Sequence, residues 1–318
     1  VSKDTFLAQI VTVKSMNISV NHRPSARSYA VLSIGAAVMT IALKFGAYSL
    51  TGSVGLLSDA FESIVNLVAA IGAFWALSYA AKPPDEKHSF GHSKAEYFSS
   101  ALEGFLILVA AGSIAVAAVD RFFHPQPIEQ AGLGLVLALL ATAINGGVSW
   151  ILLQASRQLR SITLRADAYH LLTDVWTSVG VVLGIGLVSV TGWFVLDPIV
   201  ALLVAANIVW TGCKLLGETG FGLLDGAIPD DEQKAIALIM SEYKTQGIQF
   251  HALRTRVAGS RSFVSFHVLV PGAWTVQRGH DVCEIIEQAI ALALPGTNVT
   301  THLEPSEDPI SWNDEKLN

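Results

Sequence analysis

Charge is the scarcest commodity in this chain. Only 14% of its 318 residues are Asp, Glu, Lys or Arg, where a soluble chain would carry about 25%. Hydrophobic residues make up 52% and the mean hydropathy is +0.50. That balance excludes an ordinary water-soluble globule and points to a membrane protein. An excess of basic residues is also missing: the net charge of −6 removes the electrostatic footprint of a nucleic-acid binder, and no nucleic-acid partner is expected. Cysteine is nearly absent. Cys213 and Cys283 are too few for a disulfide framework, and each is expected as a small buried filler. Residues 1–27 are mixed and polar, with no apolar core ahead of a small-residue cleavage site, so no cleavable signal peptide is expected.

Long apolar runs, by contrast, are plentiful. Six stretches reach the roughly 20 residues that a bilayer core requires: Tyr29–Leu50, Val54–Ala80, Phe98–Val119, Leu133–Gln154, Thr163–Val190 and Phe194–Leu216. The connections alternate in charge. Lys82, Lys87 and Lys94 lie between the second and third runs, Arg157, Arg160 and Arg165 between the fourth and fifth, and Lys214 closes the sixth. The opposite loops hold little Lys or Arg apart from Arg121. The positive-inside rule then places both termini in the cytoplasm.

Two of these runs share a pattern. Asp59-Ala60-Phe61-Glu62 continues to Asn66, and Asp167-Ala168-Tyr169-His170 continues to Asp174, with every matched position offset by 108. Positions i and i+4 of a helix share one face. Glu62 therefore stands beside Asn66, and His170 beside Asp174. Each pair falls about 10 residues into its run, or ~15 Å, which is half of a ~30 Å hydrocarbon core. Two antiparallel helices can meet there with four donors, a set that suits a divalent transition metal. A single polar pair within a span is often only an interhelical hydrogen bond; doubling at a fixed offset favours function. Asp59 and Asp167 stand one turn outward, where a carboxylate can steady a ligand, line an ion path or cap a helix.

After Leu224 the pattern changes. Pro229-Asp230-Asp231-Glu232 reads as a helix start, with apolar spacing through Ile236, Ile239 and Met240. Phe250–Val257 and Ser262–Val270 read as strands about a turn at Ala258-Gly259-Ser260. Val276–Leu294 reads as a helix stopped by Pro295-Gly296, and Asn298–Leu303 as a third strand. The expected fold is an α-helical membrane protein of six transmembrane helices with a C-terminal α-β-β-α-β, ferredoxin-like domain. The expected organisation is an N-terminal cytoplasmic segment (1–27), a transmembrane domain (28–217), a cytoplasmic metal-binding and dimerisation domain (218–306) and a flexible tail (307–318).

With these motifs in view, the chain resembles the cation diffusion facilitators, a family of divalent-metal/proton antiporters. The resemblance covers the six runs, the paired motifs and the C-terminal domain. Family members carry His or Asp, then Asp, in each motif. His170 and Asp174 match; Glu62 and Asn66 depart, giving three oxygen donors and one nitrogen. That shifts preference toward harder or less selective binding of Fe²⁺, Mn²⁺ or Co²⁺, with Zn²⁺ still able to bind. Lys82-Pro83-Pro84-Asp85-Glu86-Lys87-His88-Ser89-Phe90-Gly91-His92-Ser93-Lys94 resembles the family's loop signature. By residue type alone it reads as a solvated loop; the resemblance implies a loop metal site of Asp85, His88 and His92. It likewise implies a metal site of His251, His267, His280, His302 and Glu304 at a dimer interface, Glu304 standing where the family usually has Asp. It also suggests an ion pair between Lys94 and Asp225.

The function expected from this resemblance is export of a divalent transition-metal cation by proton antiport, by a homodimer in a lipid bilayer. A bacterial inner membrane is the expected location. The rival readings are a membrane-bound metal sensor that does not transport and an intramembrane metalloenzyme. The latter would need an open coordination position and a nucleophile or base beside it, and no such pattern is evident.

Overall fold

The computed structural model describes residues 25–51, 54–123, 132–193, 195–245 and 247–313. Six long helices come first: α1 (Ala26–Thr51), α2 (Val54–Ala80), α3 (Ala95–Phe123), α4 (Gly132–Leu159), α5 (Ile162–Thr191) and α6 (Leu196–Leu223). They correspond one for one to the apolar runs. Among the described residues, Ala26–Ser49, Ala95–Phe123, Leu139–Leu159 and Leu196–Leu223 are long and apolar enough to cross a membrane by length and composition. The other two, α2 and α5, carry the polar motif.

The bundle is apolar inside and outside. Leu77, Leu152, Leu164 and Leu171 form one inner cluster; Tyr97, Ile107, Ile208 and Leu215 form another. Trp75, Phe105, Trp150 and Trp210 are exposed. In water such a surface would be unstable; it fits hydrocarbon, where helices satisfy their own backbone groups. Cys213 lies on this exposed surface, whereas Cys283 is buried, so the expectation of two buried fillers holds for only one. Asp197 sits inside the first turn of α6 and pairs with Arg121 at 3.1 Å.

The remaining elements are α7 (Asp230–Lys244), β1 (Gln249–Ala258), β2 (Arg261–Val270), α8 (Val276–Ala293) and β3 (Thr297–Pro305), in the expected α-β-β-α-β order. β1 pairs antiparallel with β2, and β2 parallel with β3, in the order β1-β2-β3. The parallel pair requires a crossover, which α8 supplies. Thr275 caps α8 by accepting from Arg278 N. Its Cys283, Ile286 and Ile290 share one helical face and pack with Val264, Phe266 and Val268 of β2 and with Ile236 and Met240 of α7. The segment after Pro305, expected to be loose, forms a 3₁₀ turn over Pro309–Trp312. Trp312 Nε1 donates to Ser306 O at 3.1 Å, and its ring lies 5.7 Å from that of His251. Burial of an aromatic surface offsets the entropy of ordering this segment.

The two parts meet at the tip of the β1–β2 hairpin. Tyr97 Oη, at the start of α3, accepts from Gly259 N at 2.9 Å. Its neighbour Glu96 accepts from Ser161 Oγ at 2.5 Å, and Ser161 is the N-cap of α5. The hairpin is thereby tied to the same end of the bundle at which α5 begins.

Candidate metal centres

The repeated motif places its second members together. α2 supplies Asn66 and α5 supplies His170 and Asp174, all buried. Asn66 Nδ2 donates to Asp174 Oδ2 at 2.5 Å, and Asn66 Oδ1 lies 2.5 Å from His170 Nε2. One carboxamide thus bridges an imidazole and a carboxylate. Glu62 is one helical turn before Asn66 on α2, but its side chain and that of Asp59 lie outside the described residues. Asp167 is buried six positions beyond the Ser161 cap, so it does not cap α5; its Oδ1 accepts from Ser33 Oγ of α1 at 3.0 Å.

A second group lies in the loop between α2 and α3. His88 Nδ1 stands 3.1 Å from Asp85 Oδ1, and His92 Nε2 stands 3.2 Å from Asp85 Oδ2. One carboxylate therefore faces two imidazoles, and one donor atom from each residue lies within 4.8 Å of the others. The backbone N–H of His88, with further help from its ring and from the N–H of Lys87, holds the Asp85 carboxyl below its ordinary range. His92 is fixed by Tyr79, whose ring meets it edge-on at 4.7 Å.

The third group follows from strand register. His251 pairs with His267, and His267 with His302, so three imidazoles form one row across β1, β2 and β3. Glu304 lies two residues beyond His302 on the same face of β3. Its Oε2 is 2.9 Å from His251 Nε2 and 3.2 Å from His267 Nδ1; its Oε1 is 3.5 Å from His302 Nδ1. A bulge between His251 and Arg254, with Ala252 at φ 51°, turns β1 beside this row. His280 is exposed in the first turns of α8 and is outside the close set of His251, His267 and Glu304. Lys94 and Asp225 meet at 2.9 Å, with Arg256 3.0 Å from the same Asp225 oxygen.

Both halves of the chain match one family. The cation efflux transmembrane domain matches residues 30–224, and the cytoplasmic domain of cation efflux proteins matches residues 228–306. The chain belongs to the cation efflux family, the cation diffusion facilitators. It is 61% identical over 287 residues to the uncharacterized transporter sll1263 of Synechocystis sp., covering 90% of this chain and 93% of that one. It is 30% identical over 292 residues to the cation-efflux pump FieF of Klebsiella pneumoniae, covering 92% and 96%. To FieF of Escherichia coli K12 it is 29% identical over 281 residues, covering 87% and 91%. This facilitator is an integral membrane protein of a transporter family.

Two buried residues of this facilitator were not singled out for the intramembrane site. Asn145 of α4 is 2% exposed and its Nδ2 donates to Asp174 Oδ2 at 3.0 Å. No spacing flags it: α4 has no copy of the motif, and only the packing of α4 on α5 brings it to Asp174. The second is Glu103 of α3. It is fully buried in mid-helix, so it is no cap, and neither carboxyl oxygen has a hydrogen-bond partner. A carboxyl within an apolar run was the available signal.

Proposed function

We propose that this facilitator exports a divalent transition-metal cation from the cytoplasm in exchange for protons, through Glu62, Asn66, His170 and Asp174. The observation that carries the reading is the convergence of Asn66, His170 and Asp174 in contacts of 2.5 Å at the middle of two packed helices. An imidazole nitrogen and carbonyl and carboxylate oxygens form a donor set for such an ion. The ion enters from the end that packs on the C-terminal domain, binds in the bundle and leaves on the opposite side as the helices rock.

Metal ligands bind in their deprotonated form, so cation and protons compete for the same atoms. His170 is the ligand assigned to proton exchange, since its ring nitrogen can carry either a proton or the ion. Asn66 cannot titrate, which lowers the number of protons exchanged per ion. The oxygen-rich set favours Fe²⁺, Mn²⁺ or Co²⁺ relative to a site with two Asp in the first motif, while Zn²⁺ remains a substrate. The relatives named as cation-efflux pumps support export as the direction.

The loop group of Asp85, His88 and His92 and the sheet group of His251, His267, His302 and Glu304 would hold further divalent ions. The donor chemistry fits: each group sets imidazole nitrogens around one carboxylate, and His92 and His251 each keep a buried Nδ1 with no hydrogen-bond partner. In the sheet group a bound ion would tie β1, β2 and β3 together. The C-terminal domain, 218–306, is assigned to homodimerisation and control of the resting conformation, and the protein to a bacterial inner membrane with cytoplasmic termini.

The test is metal-driven proton flux in proteoliposomes. Flux is expected to vanish in His170→Ala and Asp174→Ala. Intact flux in both would end this reading and leave a sensor that binds metal without moving it.

A further inference from the structure

Asp174 Oδ2 accepts hydrogen bonds from two amides on two helices, Asn66 at 2.5 Å and Asn145 at 3.0 Å. The two are not equivalent. Asn66 also meets His170 Nε2 at 2.5 Å, so its amide lies across the space between His170 and Asp174. A cation held by those two residues must take that space. His170 Nε2 cannot face both the ion and Asn66 Oδ1, and the amide oxygen itself is drawn to the ion. Asn66 is therefore displaced from its present contacts whenever the site fills. Asn145 is under no such conflict. It reaches Asp174 from α4, is 2% exposed, and keeps a buried Oδ1 with no hydrogen-bond partner.

We propose that Asn145 is the residue that positions Asp174 when the cation displaces Asn66, and that it thereby selects among cations. The inference rests on the proposal that Asp174 is a transport ligand. Once Asn66 has left, the Asn145 amide still occupies one lone pair of Oδ2 and holds the carboxylate at a fixed angle, which favours contact with a cation through one oxygen over chelation through both. One oxygen per carboxylate suits a small ion in tetrahedral coordination, such as Zn²⁺. Larger or harder ions gain from carboxylates that offer both oxygens and from a higher ligand count. Asn145 thus offsets part of the oxygen-rich bias that Glu62 and Asn66 introduce.

The experiment measures transport of Zn²⁺ alone and of Mn²⁺ alone by the full chain in proteoliposomes, for the native protein, Asn145→Ala and Asn145→Ser. Serine keeps a polar group at the position but is too short to hold Asp174. In both variants KM for Zn²⁺ is expected to rise about tenfold, the weight of one hydrogen bond to a charged group. KM for Mn²⁺ is expected to change much less, so that the Zn²⁺ to Mn²⁺ ratio of kcat/KM falls by about tenfold. A purely structural role would lower kcat for both ions together and leave that ratio unchanged, and that result in the variant that folds overturns the proposal. His170→Ala is run alongside. Loss of transport there with an unchanged ratio at Asn145 sinks only the role of Asn145, whereas transport that survives His170→Ala sinks the site itself.

Discussion

Asn66 Nδ2 and Asp174 Oδ2 stand 2.5 Å apart across 108 positions of chain. That interval is also the offset between the two copies of the motif. Replacement of Asn66 by Asp turns a donor into an acceptor at this contact. Two carboxyl groups would then face each other and compete for one proton, which a bound cation releases. Without metal, Asn66→Asp is expected to lose about 1–3 kcal/mol of stability. With Zn²⁺ the added charge binds the ion, so the rise in Tm on adding Zn²⁺ should exceed that of the native protein. Proton flux per ion should rise as well, and combining Asn66→Asp with Glu62→Asp should move the metal ranking toward Zn²⁺. An unchanged ranking in the double variant would show that these positions do not set selectivity.

Gly259 is the tightest joint between the two parts. Its φ is +58°, and a Cβ there would lie 2.3 Å from the backbone oxygen of Ser93. Gly259→Ala therefore meets both a left-handed backbone and a backbone clash. It should cost about 1–3 kcal/mol and pull the hairpin from Tyr97. Calorimetry of the purified protein checks the first expectation. Slower transport with metal affinity retained at His170 and Asp174 would show that hairpin docking matters to the transport cycle.

Asp225 supplies a pH dependence. Its hydrogen bond from Lys94, and next that from Arg256, hold its carboxyl below the ordinary value. A carboxyl lowered on folding adds stability that is present above its unfolded value of ~4 and is lost as pH falls through the folded value. Asp225 is half exposed, which limits the effect to roughly 1 kcal/mol or less. Asp225→Asn keeps the left-handed backbone at φ 56° accessible and removes only the charge. The Tm difference between native and variant is expected at pH 7 and should shrink below about pH 4. A difference that persists at low pH would assign it to packing.

Glu304 faces His251, His267 and His302 together. Glu304→Ala should weaken Zn²⁺ binding to the C-terminal domain about ten- to a hundredfold, read by titration calorimetry on the full chain. Flux at saturating metal should stay within about twofold, because the proposed transport site on α2 and α5 is left untouched. Loss of flux in proportion to loss of binding would make this group part of the transport path.

The opening arrangement of six helices was legible because length and apolar composition are local properties of a helix in lipid. The C-terminal elements were legible for a similar reason: alternation and i, i+3, i+4 spacing mark strands and helices separately. His251, His267 and His302 could be picked out by type, but their alignment in one row needed the register of β1, β2 and β3. Trp312 looked like part of a loose tail because no periodicity precedes it, and only its packing beside the His251 ring and its bond to Ser306 O place it.

By itself, then, the sequence determined the membrane class, the six long helices, the α-β-β-α-β order, and the sharing of a helical face by His170 and Asp174. Each of these follows from repeat distances along one segment. The tertiary structure decided what lies opposite that face. Asn145 reaches Asp174, Glu103 is sealed without a partner, and Gly259 sits against Ser93 and Tyr97. Such contacts depend on which helix packs on which, and at what rotation. No spacing within a single segment encodes that.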